Sequence, residues 1–166
     1  MGIVEEERPV AALLLPAVLA GLVAAIVGGV VWGLIVKWTD YEVGFVAWGI
    51  GFLVGVAIAA AARGARGLVL QVVAVLCALV GILVGKYLSF AWVLQEVAER
   101  ETQGFVEISV LSTDTVDLFL EELGTVFDWI DILWVGLAVY TAWRALQPEE
   151  PEPAPAAEPE PPARQE

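Results

Sequence analysis

The sequence predicts an all-α fold: a four-helix transmembrane bundle with a short acidic extracytoplasmic subdomain between spans three and four. Three observations carry that prediction. The 166-residue chain is 59% hydrophobic with a mean hydropathy of +0.79; a soluble domain of this length carries more charge and breaks its apolar runs at turn spacing. Its apolar residues gather into runs matching the ~20 helical residues that cross hydrocarbon. Within those runs, small residues recur every fourth position.

The ladders are Ala17–Gly21–Ala25–Gly29–Gly33, Ala47–Gly51–Gly55–Ala59 and Cys77–Gly81–Gly85–Ser89. Small residues on one helical face let backbones approach closely, which matters in lipid because acyl chains compete with any purely greasy contact. The candidate helix-packing residues are therefore Gly21, Gly29, Gly33, Gly51, Gly55, Gly81 and Gly85.

Residues 1–9 form a short N-terminal segment. Glu5, Glu6 and Glu7 stand where a cleavable signal wants basic residues, so the first span is expected to be retained. Span one covers about 10–36. Pro9 suits its first turn, and Pro16 either kinks the helix or marks where the true span begins. Thr39-Asp40-Tyr41-Glu42 has capping-box spacing and starts span two, about 45–62. Arg63-Gly64-Ala65-Arg66-Gly67 makes a tight turn, so spans two and three (about 68–88) form an antiparallel hairpin. Gln95–Arg100 continues the third helix into water, with Glu96 and Arg100 at salt-bridge spacing.

The extracytoplasmic loop runs over 95–125. Phe105–Leu111 alternates weakly and reads as extended. Ser112 or Thr113 caps a short helix whose first turn holds Asp114 and Asp117 and which ends near Gly124. Val116, Phe119, Leu120 and Leu123 give it an apolar face for the outer interface or the bundle mouth. Span four covers about 126–146. Residues 147–166, rich in proline and glutamate, cannot bury a core and read as a disordered tail.

Basic residues near span ends set the orientation. Arg8, Arg63, Arg66 and Arg144 fall on one side, while Lys37 and Arg100 fall on the other with Lys86 near it. Both termini are therefore expected in the cytoplasm. Trp32, Trp38, Tyr41, Trp48, Tyr87, Trp92 and Trp129 gather at the outer side and read as an interfacial belt; Tyr140 and Trp143 form the inner one.

Depth arithmetic singles out three charges. At 1.5 Å per residue, Lys86 lies about 30 Å from Arg66, at the outer boundary. Counted from Arg144, Asp131 lies only about 20 Å out and Asp128 about 24 Å. A carboxylate in hydrocarbon costs several kcal/mol unless paired, protonated or facing a wet cavity. Lys86, Asp131 and Asp128 thus form a candidate intramembrane charge group, with Lys37 as the second-choice cation. The group reads as an ion or proton site, as a pair locking helix four to helix three, or as two carboxylates near headgroups at a shallow helix N-terminus.

Other chemistry finds little support. The formal charge of −13 opposes a nucleic-acid partner. The absence of histidine excludes histidine triads and histidine metal sites, and Cys77 is alone. Ser89, Ser109 and Ser112 have no evident base. Asp114, Asp117, Glu121 and Glu122 lack EF-hand spacing. No catalytic residue, metal or cofactor is nominated, and the expectation is a non-enzyme.

Three strings, Thr39–Gly55, Gly81–Leu88 and Asp131–Tyr140, together resemble an uncharacterised group of small bacterial four-span integral membrane proteins. The likeness covers roughly Val10 to Leu146 and excludes the tail. It implies a multi-pass protein of the bacterial plasma membrane and no particular activity. The expected function is a membrane scaffold or accessory subunit packing through small-residue faces. Its expected partners are the lipid bilayer and either a second copy or another membrane protein, because three ladders exceed what one hairpin uses. The alternative is a small transporter or ion-coupled module using Asp131 and Lys86.

Overall fold

The computed structural model describes residues 10–39, 44–103, 105 and 108–148, and the described residues are all-helical, with six helices and no strand. They are α1 (Val10–Thr39), α2 (Phe45–Ala61), α3 (Leu68–Thr102), α4 (Thr113–Glu121), α5 (Leu123–Val126) and α6 (Trp129–Arg144). The capping box at Thr39–Glu42, the N-terminal segment and the tail beyond Pro148 fall wholly or mainly outside the described residues. So does part of the extended reading for Phe105–Leu111.

Of these helices, Ala12–Thr39 and Leu68–Thr102 are long and apolar enough to cross a membrane by themselves. The other two expected crossings correspond to shorter helices, of 17 residues in α2 and 16 in α6. Pro16 does not end α1, which runs through it. Pro16 has no N–H to give Ala12 O, so the α1 ladder lacks that bond.

The turn after α2 forms as its composition demands. Arg63 has φ +51°, Gly64 +86° and Gly67 +140°, and glycine populates such left-handed backbone without a Cβ penalty. The chain thereby reverses within 62–67, and Gly67 N–H donates to Leu146 O at 3.2 Å, fastening the turn to the end of α6.

Packing follows the small-residue ladders, although not within the α2–α3 hairpin. The α1 ladder meets the α3 ladder in parallel: a Cβ built on Gly29 would lie 2.6 Å from Gly81 O, and one on Gly81 would lie 2.9 Å from Ala25 O. Gly33 backs onto Leu88 and Trp92, and Gly21 onto Ile58 and Cys77. The α2 ladder is taken by α6: a Cβ on Gly51 would reach Ala138 Cα at 2.6 Å, and one on Gly55 would reach Ala145 Cβ at 2.8 Å. Backbones this close leave room for hydrogen atoms only, as small-residue helix contacts in lipid require. Between them sits the core of Ala25, Ile50, Val54, Ile58, Ala78 and Ile82.

Two local features depart from the sequence reading. The fourth long helix starts at Trp129 rather than 126, because Asp128 and Asp131 form a capping box there and Phe127 is extended (φ −103°, ψ 116°). Trp32, read as a belt residue, is instead 1% exposed between α1 and α3, seated where Gly85 leaves space: a Cβ on Gly85 would lie 2.6 Å from Trp32 Cε3. Trp38 and Trp129 are exposed.

Between α3 and α6 the chain forms α4 and α5. Ser112 Oγ accepts from Thr115 N–H at 3.2 Å and caps α4, satisfying one of the unpaired donors of the first turn. Phe119 is buried against Tyr87 and Phe90 of α3, with ring centroids 5.3 and 5.6 Å apart. Tyr87 also donates to Val110 O. Glu96 and Arg100 pair on the exposed end of α3.

Candidate functional site

The site is built where α3 passes the α5–α6 junction. Lys86 sits one residue beyond Gly85, and the close approach of α1 and α3 carries it inward until it is 2% exposed. Opposite, the chain leaves α5, extends at Phe127 and turns into α6. Asp128 Oδ1 accepts from Trp129 N–H at 2.6 Å, and Asp131 Oδ2 accepts from Asp128 N–H at 2.9 Å. Each Asp thus satisfies a backbone donor that the helix start leaves unpaired.

Lys86 Nζ donates to the same Asp131 Oδ2 at 2.7 Å and to Val126 O at 3.0 Å. The ammonium also lies 5.2 Å from the Phe127 ring centroid and 5.9 Å from that of Trp32. One cation therefore touches α1 through Trp32, and the α5–α6 junction through a carbonyl, a carboxylate and a ring. Asp131 is buried with it, its side chain 10% exposed. Two charges removed from water are compensated only by good geometry and further hydrogen bonds, and both are present.

Of the three candidate charges, the structure brings two together. Asp128 is exposed and caps α6 without reaching Lys86. Lys37, the second-choice cation, lies instead 5.2 Å over the Trp92 ring on the exposed side. Asp131 combines two of the readings given above: it pairs with Lys86, and it occupies the first turn of α6, where the helix dipole favours negative charge.

The approach to Lys86 is open on one side. A recess of about 210 Å³ lined by Val36, Lys86, Ser89, Phe90, Val93, Thr125 and Val126 opens beside it. Ser89 is buried and donates to Gly85 O at 2.9 Å. Towards the arginine turn the neighbours are apolar: Ile82, Ala78 and Ala138 are buried.

Several contributors were not legible as site residues. Val126 acts through its carbonyl, which no side-chain pattern reveals. Phe127 reads as one more apolar residue of a span. Trp32 carried a signal, since it precedes Gly33 and faces the ladder glycine next to Lys86. At the opposite end, Gln71 donates to Trp143 O at 3.2 Å and Arg66 to Ala145 O at 3.1 Å, tying the start of α3 and the turn before it to the C-terminus of α6. Between α2 and α6, Trp48 Nε1 donates to Thr141 Oγ1 at 2.9 Å.

No protein family, curated protein or solved structure matches this chain.

Proposed function

We propose that the chain is a non-enzymatic integral membrane protein, a scaffold or accessory subunit of the bacterial plasma membrane. In this reading α1, α2, α3 and α6 cross the bilayer with both termini in the cytoplasm, as in the four-span group that the sequence resembles. The apolar exterior supports it. The most apolar windows of α1 and α3 are only 33% and 44% buried inside the molecule, so residues such as Leu19, Val23, Val72 and Leu76 face outward. A core helix of a soluble protein buries most of that surface, and contiguous exposed apolar area marks a lipid or protein contact.

The observation that carries the non-enzymatic reading is the Lys86–Asp131 pair. Its ammonium and carboxylate are both engaged by protein groups at 2.7–3.0 Å, which suits a latch between α3 and α6. The small-residue faces are filled by contacts within the chain, so they supply no spare surface for a second copy. A partner therefore docks on the apolar exterior or the outer subdomain.

One observation favours the alternative, an ion-coupled module. A recess ends on Lys86, one member of the charge pair, and intramembrane ionisable residues mark ion pathways by default. Neutralising Lys86 and Asp131 separately and together separates the two readings. A latch predicts that Lys86→Gln and Asp131→Asn lower abundance in the membrane more than the double variant does. A transport site predicts normal abundance with lost ion flux in proteoliposomes.

A further inference from the structure

Charge is segregated along the bundle. Every described carboxylate side chain, from Glu96 to Asp131, lies at the α3 C-terminus, in α4, at the α4–α5 junction or at the start of α6, whereas Arg63, Arg66 and Arg144 gather at the opposite end. The arginine end is also shaped. Arg66 Nη1 donates to Ala145 O at 3.1 Å and Gln147 O at 3.4 Å, fixing the 62–67 turn over the end of α6. Beside it a recess of about 580 Å³ is lined by Gln71, Arg144, Gln147 and Pro148. Arg144 is exposed, with one N–H given to Tyr140 Oη at 3.2 Å, which leaves most of its planar fork of donors for a ligand. Arg63 stands exposed on the same end, projected from a left-handed backbone position.

We infer that this end binds the phosphate-bearing headgroup of an anionic phospholipid, with Arg144 and Arg63 as the contacting cations and Arg66 as the residue that positions the turn. The inference rests on the membrane reading above. That reading puts the C-terminal end of α6 at headgroup depth, beneath acyl chains packed on the apolar exterior. Arginine suits phosphate because its guanidinium offers two parallel donors, and basic pockets between spans take anionic headgroups. The competing occupant is the chain's own glutamate-rich segment, since Glu149 and Glu150 follow Pro148 directly in sequence.

The test reconstitutes the full chain into nanodiscs of phosphatidylcholine with or without phosphatidylglycerol and counts the lipids retained by native mass spectrometry. The expected result is preferential retention of phosphatidylglycerol. Arg144→Gln and Arg63→Gln are each expected to lower it about fivefold, the worth of roughly one basic residue at a charged surface. Lys37→Gln at the other end, and added inorganic phosphate, should leave it unchanged. Equal retention of the two lipids overturns the inference, as does an equal loss from Lys37→Gln. Retention that emerges only when residues 149–166 are deleted also overturns it, assigning the arginines to the chain's own glutamates. A chain that stays in solution without entering nanodiscs sinks the membrane reading; one that enters without lipid preference sinks this inference alone.

Discussion

Lys86 Nζ and Asp131 Oδ2 stand 2.7 Å apart, and through them the middle of α3 is joined to the first turn of α6. The same carboxylate oxygen closes the capping box of α6. Position and pairing are therefore one arrangement: the helix starts at Trp129 because Asp128 and Asp131 cap it, and that start sets Asp131 against Lys86.

Removing one member strands the other. Lys86→Met and Asp131→Asn are each expected to destabilise the bundle by about 3–5 kcal/mol, the usual cost of a buried charge left without its partner. Lys86→Met combined with Asp131→Leu should cost much less than the sum of the single changes. Thermal unfolding in a mild detergent, followed by circular dichroism, checks the cycle; additive losses would mean that the pair contributes no coupling.

The glycines divide into two groups with opposite expectations. Gly29→Ala brings a Cβ within 2.6 Å of Gly81 O, and Gly51→Ala brings one against Ala138 backbone. Neither neighbour can yield without moving a helix, so a loss of about 1–3 kcal/mol is expected. A Cβ on Gly49 or Gly136 meets nothing within 4 Å, so alanine there should be neutral or stabilising by up to about 1 kcal/mol through helix propensity. The same unfolding measurement reads both groups.

Phe119 holds the α4 segment to α3 through Tyr87 and Phe90. Few other contacts tie α4 down, so Phe119→Ala should release α4 without unfolding the bundle. Hydrogen exchange is expected to accelerate over 113–121 and stay slow over 74–85. Faster exchange in both segments would make α4 integral to the bundle.

Part of this is legible in the sequence. Four-residue spacing singles out seven of the packing glycines, since the period of a helix and the size of a side chain are both written in the sequence; it misses Gly28 and Gly44, which back onto Ile50 and Trp134. The pairing of ladders is not written there: which faces meet depends on topology, and the α2 ladder chose α6 over its hairpin neighbour. Depth counting from Arg66 and Arg144 singles out Lys86 as the cation nearest in depth to Asp131 but sets the two about 10 Å apart, because it treats both helices as straight and upright. It groups Asp128 with them, whereas Asp128 caps α6 after the backbone break at Phe127, a tertiary event. Trp32 was misread because an indole near a span end suits either a headgroup belt or a glycine notch, and composition alone cannot choose.

The claim beneath all of this is that α2 and α6 cross the bilayer alongside α1 and α3, with the arginine turn facing the cytoplasm. Single cysteines at positions 65 and 121, introduced with Cys77→Ala and treated with a membrane-impermeant maleimide, test it directly. Intact cells should label Glu121→Cys, whereas Ala65→Cys should react only once the cytoplasmic face is opened. Labelling of position 65 from outside, or recovery of the chain in solution without detergent, would contradict the account.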